Sequence, residues 1–186
     1  MEKQNVCPWW LGYFLILPIR KLQHNPEKIL AAHIKEGMKV LDYGSAMGYF
    51  SIPLAKMVGD AGEVYCVDIQ SKMLEKLQKR AEKAGVSKIT KPCLIGNGFS
   101  LEQLSGQIDF TMLFAVVHEV TDKKQLFKDL YRVSKNGAKV LFAEPKGHVT
   151  PEEFNKSIQL AKDAGFKVTE EKPALNGLCL ILSKQL

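Results

Sequence analysis

The stretch KVLDYGSAMGYFS, Lys39–Ser51, decides how this 186-residue chain is read. An apolar pair, Val40-Leu41, runs into an acid, Asp42, and then into a loop punctuated by Gly44 and Gly48. Two explanations of the small residues compete. One is a tight strand-to-helix turn, since glycine reaches backbone angles that cost other residues energy. The other is a loop whose backbone comes close to a bound small molecule.

Working outward, strand-like and helix-like pieces alternate from Lys39. Val40–Tyr43 reads as a first strand and Phe50–Met57 as a helix, with Pro53 tolerable only near its first turn. Glu63–Asp68 is a second strand, after which Ser71 caps a helix running to Ala84 and Gly85 stops it. Lys91–Ile95 and Ile108–Val117 follow as strands, and Asp122 with Gln125 opens a helix to Val133. Ala138–Glu144 is a fifth strand, and Thr150, Pro151 and Glu153 start a helix that ends at Gly165. Phe166–Glu170 and Leu178–Leu182 are joined by EKPALNG, too short for a helical crossover, so they pair as an antiparallel hairpin. Upstream, NPEKILAAHI reads as a short helix with Asn25 as cap and Pro26 at its first position. Alternation of this kind implies a mostly parallel sheet covered on both faces. Ligands of such sheets bind beyond the carboxyl ends of the strands, where strand order reverses.

Composition narrows the class. Hydrophobic residues make up 46% and charged residues 25%, ordinary for one globular domain. Cys7, Cys66, Cys93 and Cys179 are far apart and show no metal-ligand spacing; their use suits a reducing cytoplasm, and no metal site is expected. The net charge of +6 permits an anionic partner without requiring one. Lys72, Lys76, Lys79, Arg80 and Lys83 recur at helical spacing and read as a solvated face, so nucleic acid is not the favoured partner. The run VCPWWLGYFLILPI, Val6–Ile19, is apolar but too short to cross a bilayer and is broken by Pro8, Gly12 and Pro18. It reads as a packed or lid-forming helix, with membrane-surface contact as the alternative.

Asp68 closes the second strand, where a carboxylate can accept hydrogen bonds from both hydroxyls of a ribose and would repel a 2′-phosphate. The first loop does not carry a dinucleotide fingerprint: its spacing is Gly-Ser-Ala-Met-Gly, and Asp42 stands two residues before it. An acid there repels a pyrophosphate and suits an ammonium. A nucleoside carrying an amino-acid tail fits better than NAD.

VLDYGSAMGYFS resembles the cofactor loop of class I S-adenosylmethionine-dependent methyltransferases, and the likeness continues in VYCVDIQSKML, IGNGFSL, IDFTMLFAVVHEV and LYRVSKNGAKVLFAEP. The last two are most similar to the small-molecule branch that includes ubiquinone/menaquinone C-methyltransferases. The resemblance implies a Rossmann-like, doubly wound α/β fold. Its seven-stranded, mostly parallel sheet would close with the C-terminal antiparallel hairpin and carry helices on both faces, over residues 35–186, with residues 1–34 as a helical lid segment. It further implies that Gly44, Ser45, Ala46 and Gly48 line the methionine moiety of S-adenosylmethionine, with Asp42 near its amino group. Asp68 would hold the ribose, with Ile69 and Met73 against the adenine, Asn97 at its amino group, Gly98 supplying backbone, and Phe114 and Ala115 beneath the methionine tail. Ala46 departs from the family's middle glycine; if that position needs a positive φ, alanine costs on the order of 1 kcal/mol.

Methyl transfer from a sulfonium asks the protein mainly to position two reactants. A base is needed only for a weakly acidic acceptor, and His118 and Glu144 stand at the expected strand ends for catalysis, beside Glu119 and His148. Motifs of the base-amine, cytosine, ribose, catechol and arginine methyltransferases are missing, which leaves a small-molecule acceptor. Trp9, Trp10 and Tyr13 suit a lid over a flat or greasy acceptor, or a cover for edge helices or for the partner in a homodimer. Two other readings remain: an RNA or protein methyltransferase docking through the basic stripe, and a non-catalytic cofactor-binding module.

Overall fold

The apolar runs between the glycines become strands. The computed structural model describes residues 10, 12, 16, 24–145, 147, 149–171 and 177–185. Two compact units are built from residues within 7–100 and within 101–186.

In the first unit, β1 (Lys39–Tyr43), β2 (Glu63–Asp68) and β3 (Thr90–Leu94) pair in parallel, with Asp42 opposite Cys66 and Asp68 opposite Leu94. Parallel strands are covered on both faces, and Val40, Leu41, Val64, Cys66 and Val67 are accordingly fully buried. Helix α1 (Pro26–Leu30) is capped by Asn25, whose side chain accepts from the Glu27 and Lys28 amides. Helix α2 (Ser51–Val58) carries Pro53 in its first turn, as expected. Helix α3 (Ser71–Lys83) corrects the sequence reading: its cap is Gln70, not Ser71, and no side chain bonds there as a cap. The Asp68 carboxylate takes the Gln70 amide instead, at 2.9 Å. At the other end Gly85 adopts φ +72, and Val86 N donates to Ala81 O at 2.9 Å, closing the helix in a left-handed cap.

A second correction concerns the basic stripe. Lys72, Lys79 and Lys83 are exposed, but Arg80 is half-buried and donates to the Met47 carbonyl. One residue moves the helix face by about 100°, which takes Arg80 from the lysine side toward the buried row Met73, Leu77 and Ala81.

In the second unit, β4 (Ile108–Phe114) and β5 (Ser134–Pro145) pair in parallel, while β6 (Lys167–Glu171) and β7 (Gly177–Ser183) form the antiparallel closing hairpin, β7 also pairing antiparallel with β5. Strand β5 begins four residues before the expected Ala138, because Ser134 already bridges Ile108; the register then slips, and regular pairing resumes at Lys139 with Phe110. Strand β4 ends at Phe114 rather than Val117, giving way to a 3-10 turn over Val117–Glu119. Helix α4 (Lys123–Val133) opens on Asp122, whose carboxylate accepts the Gln125 amide at 2.8 Å, although the Gln125 side chain turns to Asp129. The seven strands follow the sheet order β3-β2-β1-β4-β5-β7-β6. No helix among the described residues is long and apolar enough to cross a membrane.

Helix α5 (Pro151–Asp163) starts with the full reciprocal box: Glu153 N donates to Thr150 Oγ1, and Thr150 N to Glu153 Oε2. Replacing Thr150 by Ala removes half of it. Thermal unfolding followed by circular dichroism is expected to show Tm lower by about 2–4 °C.

Candidate functional site

Strand β1 delivers Asp42 to a buried position, 4% exposed, where its Oδ2 accepts from Ser51 Oγ at 2.5 Å. Ser51 opens α2, so the acid lies against the positive end of that helix. The loop then folds over the end of β2. Gly44 N and Ser45 N both donate to Val67 O, at 2.8 and 3.0 Å, and Ala46 N donates to Asp68 Oδ2 at 2.9 Å. Gly44 and Gly48 both adopt φ +78, and Ala46 sits at φ +46. The positive φ suspected from the sequence is therefore real, and a non-glycine residue bears it.

Asp68 is held from two sides, its other oxygen accepting the Gln70 amide. Burial pushes its carboxyl above the ordinary range, against amide donors from Gln70, Ala46 and Ile69 that pull it down. Beside it Ile69 is 43% exposed, one of two large apolar residues so placed among those described. Asn97 and Gly98 are exposed on the turn after β3, with Gly96 and Gly98 both at positive φ. Met73 is not at the surface: it is 2% exposed, and a Cβ built on Gly12 would stand 2.8 Å from its sulfur and 2.9 Å from Met47 Cε.

In the second unit, Phe114 ends β4 half-buried, and Ala115 turns the chain with φ +57 while its amide donates to Ala143 O at 2.8 Å. The 3-10 turn brings His118 against Glu144, which is 3% exposed at the end of β5. Glu144 accepts twice: from the His118 amide at 3.1 Å and at Nδ1 of the ring at 2.7 Å. That hydrogen bond holds the His118 pKa above its ordinary 6.5, with burial opposing it and Glu119 adding to it. Trp10 is exposed; Trp9, Tyr13 and His148 lie outside the described residues.

Sequence reasoning missed Ser51, Ala115's left-handed turn and Arg80. Only Arg80 left a signal, since it falls at the spacing of Met73 and Leu77 rather than that of the lysines.

Residues 34–179 match the family described as a methyltransferase domain, and the chain belongs to that family. It is 30% identical over 112 residues to a demethylmenaquinone methyltransferase of Anoxybacillus flavithermus, covering 60% of this chain and 46% of that one. It is 32% identical over 111 residues to a ubiquinone/menaquinone biosynthesis C-methyltransferase of Haemophilus ducreyi, covering 60% and 42%. The chain thus spans about half the length of these curated relatives. A solved SAM-dependent methyltransferase from Aquifex aeolicus superposes with a TM-score of 0.82 at 26% identity, covering 95% of this chain and 97% of that one. The resemblance read from the loop motifs holds, and with it the Rossmann-like α/β class.

Family and structural neighbour imply S-adenosylmethionine as cofactor. The residues present fit it. Ser45 Oγ, on a residue 5% exposed, has no hydrogen-bond partner among the described residues. A braced carboxylate stands beside an exposed aliphatic side chain, which is the chemistry a ribose and a flat base ask for.

The two loop positions should respond oppositely to substitution. Ala46→Gly relieves the left-handed backbone and is expected to stabilise by about 1 kcal/mol. Gly48→Ala adds a Cβ 2.9 Å from Leu77 Cγ on top of an unfavourable φ, for a loss of about 2 kcal/mol or more. Urea unfolding of both variants checks the signs.

Proposed function

We propose that this chain transfers the methyl group of S-adenosylmethionine to a small-molecule acceptor in the cytoplasm. The observation that carries the reading is Asp68, a strand-end carboxylate that braces the positive-φ loop and stands beside exposed Ile69. When bound, the cofactor supplies a methyl already activated on a sulfonium. Asp68 binds the ribose hydroxyls, and Ile69 with Asn97 and Gly98 borders the base. Gly44, Ser45, Ala46 and Gly48 line the amino-acid tail, with Asp42 meeting its ammonium; the family resemblance assigns Phe114 and Ala115 to the tail as well. The three described cysteines are buried, and Cys66 and Cys93 are free thiols, which suits a reducing compartment.

The names of the quinone-pathway relatives suggest a phenolic or quinol-type acceptor, whose hydroxyl is weakly acidic. Glu144 fixes the His118 ring through Nδ1, so proton exchange is confined to Nε2. There His118 accepts the acceptor's hydroxyl proton, raising the electron density of the atom that takes the methyl. Residues 1–34 are the candidate lid segment of this reading; of its described residues, Trp10 is exposed and Gly12 lies against Met47 and Met73.

Calorimetric titration with S-adenosylmethionine, S-adenosylhomocysteine and NAD tests the cofactor. Binding of the first two is expected, weakened about tenfold or more in Asp68→Ala; binding of NAD alone would overturn the reading. Turnover of a phenolic acceptor tests the base. Because a base must be neutral and Glu144 raises the His118 pKa, the rate should climb with pH through an inflection above 6.5. Glu144→Gln should move that inflection down. By the same linkage, the His118–Glu144 pair stabilises the fold at acidic pH, and that contribution fades as pH rises through the raised His118 pKa.

A further inference from the structure

Met73, Leu77 and Arg80 lie on one face of α3, spaced four and three residues apart. All three meet the neighbourhood of the cofactor loop. Leu77 Cγ lies 2.9 Å from where a Gly48 Cβ would be, Arg80 donates Nη1–H to the Met47 carbonyl, and the Met73 sulfur shares the seat of Gly12 with Met47 Cε. The loop between them contains Ala46 at φ +46, a conformation that persists in a non-glycine residue only where the surroundings over-determine it. Two bonds do so from opposite ends. The Ala46 amide is held by Asp68, and the carbonyl of the next residue, Met47, is held by Arg80.

We propose that Arg80 is a positioning residue for the cofactor site: by clamping the Met47 carbonyl it holds the strained Ala46 turn in the shape that S-adenosylmethionine requires. The proposal rests on the functional reading above. Arg80 is suited to it in three ways. It is half-buried, unlike Lys72, Lys79 and Lys83, and makes no ion pair with a described carboxylate that would explain its burial. Its planar fork loses less freedom per bond than an ammonium would. Its acceptor belongs to a residue only 1% exposed, so water is a poor substitute when the guanidinium is removed.

The test uses Arg80→Met and Arg80→Lys, alone and combined with Ala46→Gly, with two readouts. Calorimetry reports affinity for S-adenosylhomocysteine, and amide hydrogen exchange reports protection at Ala46. Arg80→Met is expected to weaken binding about tenfold, equivalent to about 1.4 kcal/mol, and to speed exchange at Ala46; Arg80→Lys restores part of both. In the Ala46→Gly background the effect of Arg80→Met on affinity should shrink below about threefold, because glycine holds the turn unaided. Unchanged affinity and exchange in Arg80→Met would overturn the proposal, and so would equal losses in both backgrounds, which mark a merely structural arginine. Should Arg80→Met fail to fold, Arg80→Lys in the two backgrounds carries the same comparison. If the unaltered protein binds no S-adenosylhomocysteine, the cofactor reading fails, and exchange at Ala46 alone decides whether the clamp exists.

Discussion

The Asp68 carboxylate joins pieces of chain that have no local reason to meet. One oxygen takes the amide of Ala46, twenty-two positions earlier, and the other takes the amide of Gln70, where α3 begins. Its main-chain carbonyl accepts from Ile95 at the end of β3. One residue thereby sets the loop after β1, the entry of α3 and the exit of β3. Backbone amides satisfy it on both oxygens, and those donors offset the cost of drawing a carboxylate out of water. The lone pairs that remain stay available for a ligand.

Strain is concentrated where that bracing acts. Among the described residues the non-glycine positions with positive φ are Ala46 and Ala115. Ala46 follows β1 and Ala115 follows β4, each where a strand hands over to its functional loop. Each is tied by its own amide, Ala46 to Asp68 and Ala115 to Ala143 O. The chain accepts local cost at these turns because each follows a strand whose middle is buried and is fixed by the hydrogen bond of its own amide.

Glu144 works on His118 as Asp68 works on the loop. It is buried at a strand end and holds both the backbone amide and the ring of its partner. The consequence is electrostatic as well as geometric: a carboxylate bonded to Nδ1 favours the imidazolium, so the same contact that orients the ring also sets the pH range in which it can accept a proton. Glu119 on the same turn reinforces that bias.

The strands, the closing hairpin, the capping box at Thr150 and the loop at Gly44–Gly48 were legible in the residues, because each depends on apolar periodicity or on partners within four positions. So was the family, whose motifs are short and contiguous. Ser51 on Asp42, Arg80 on Met47 and Glu144 on His118 were not legible as contacts, for they join residues nine, thirty-three and twenty-six positions apart. Arg80 shows the limit most clearly: five basic residues at near-helical spacing look alike in a string of letters, and only the seating of α3 against the loop decides that Lys72, Lys79 and Lys83 face water while Arg80 turns toward Met47. The sequence by itself determined the elements and the chemistry they carry, since local backbone preference and burial pattern act over a few residues. Which side chains meet was left to the tertiary structure, because sheet register and helix rotation bring distant residues together, and neither is encoded at short range.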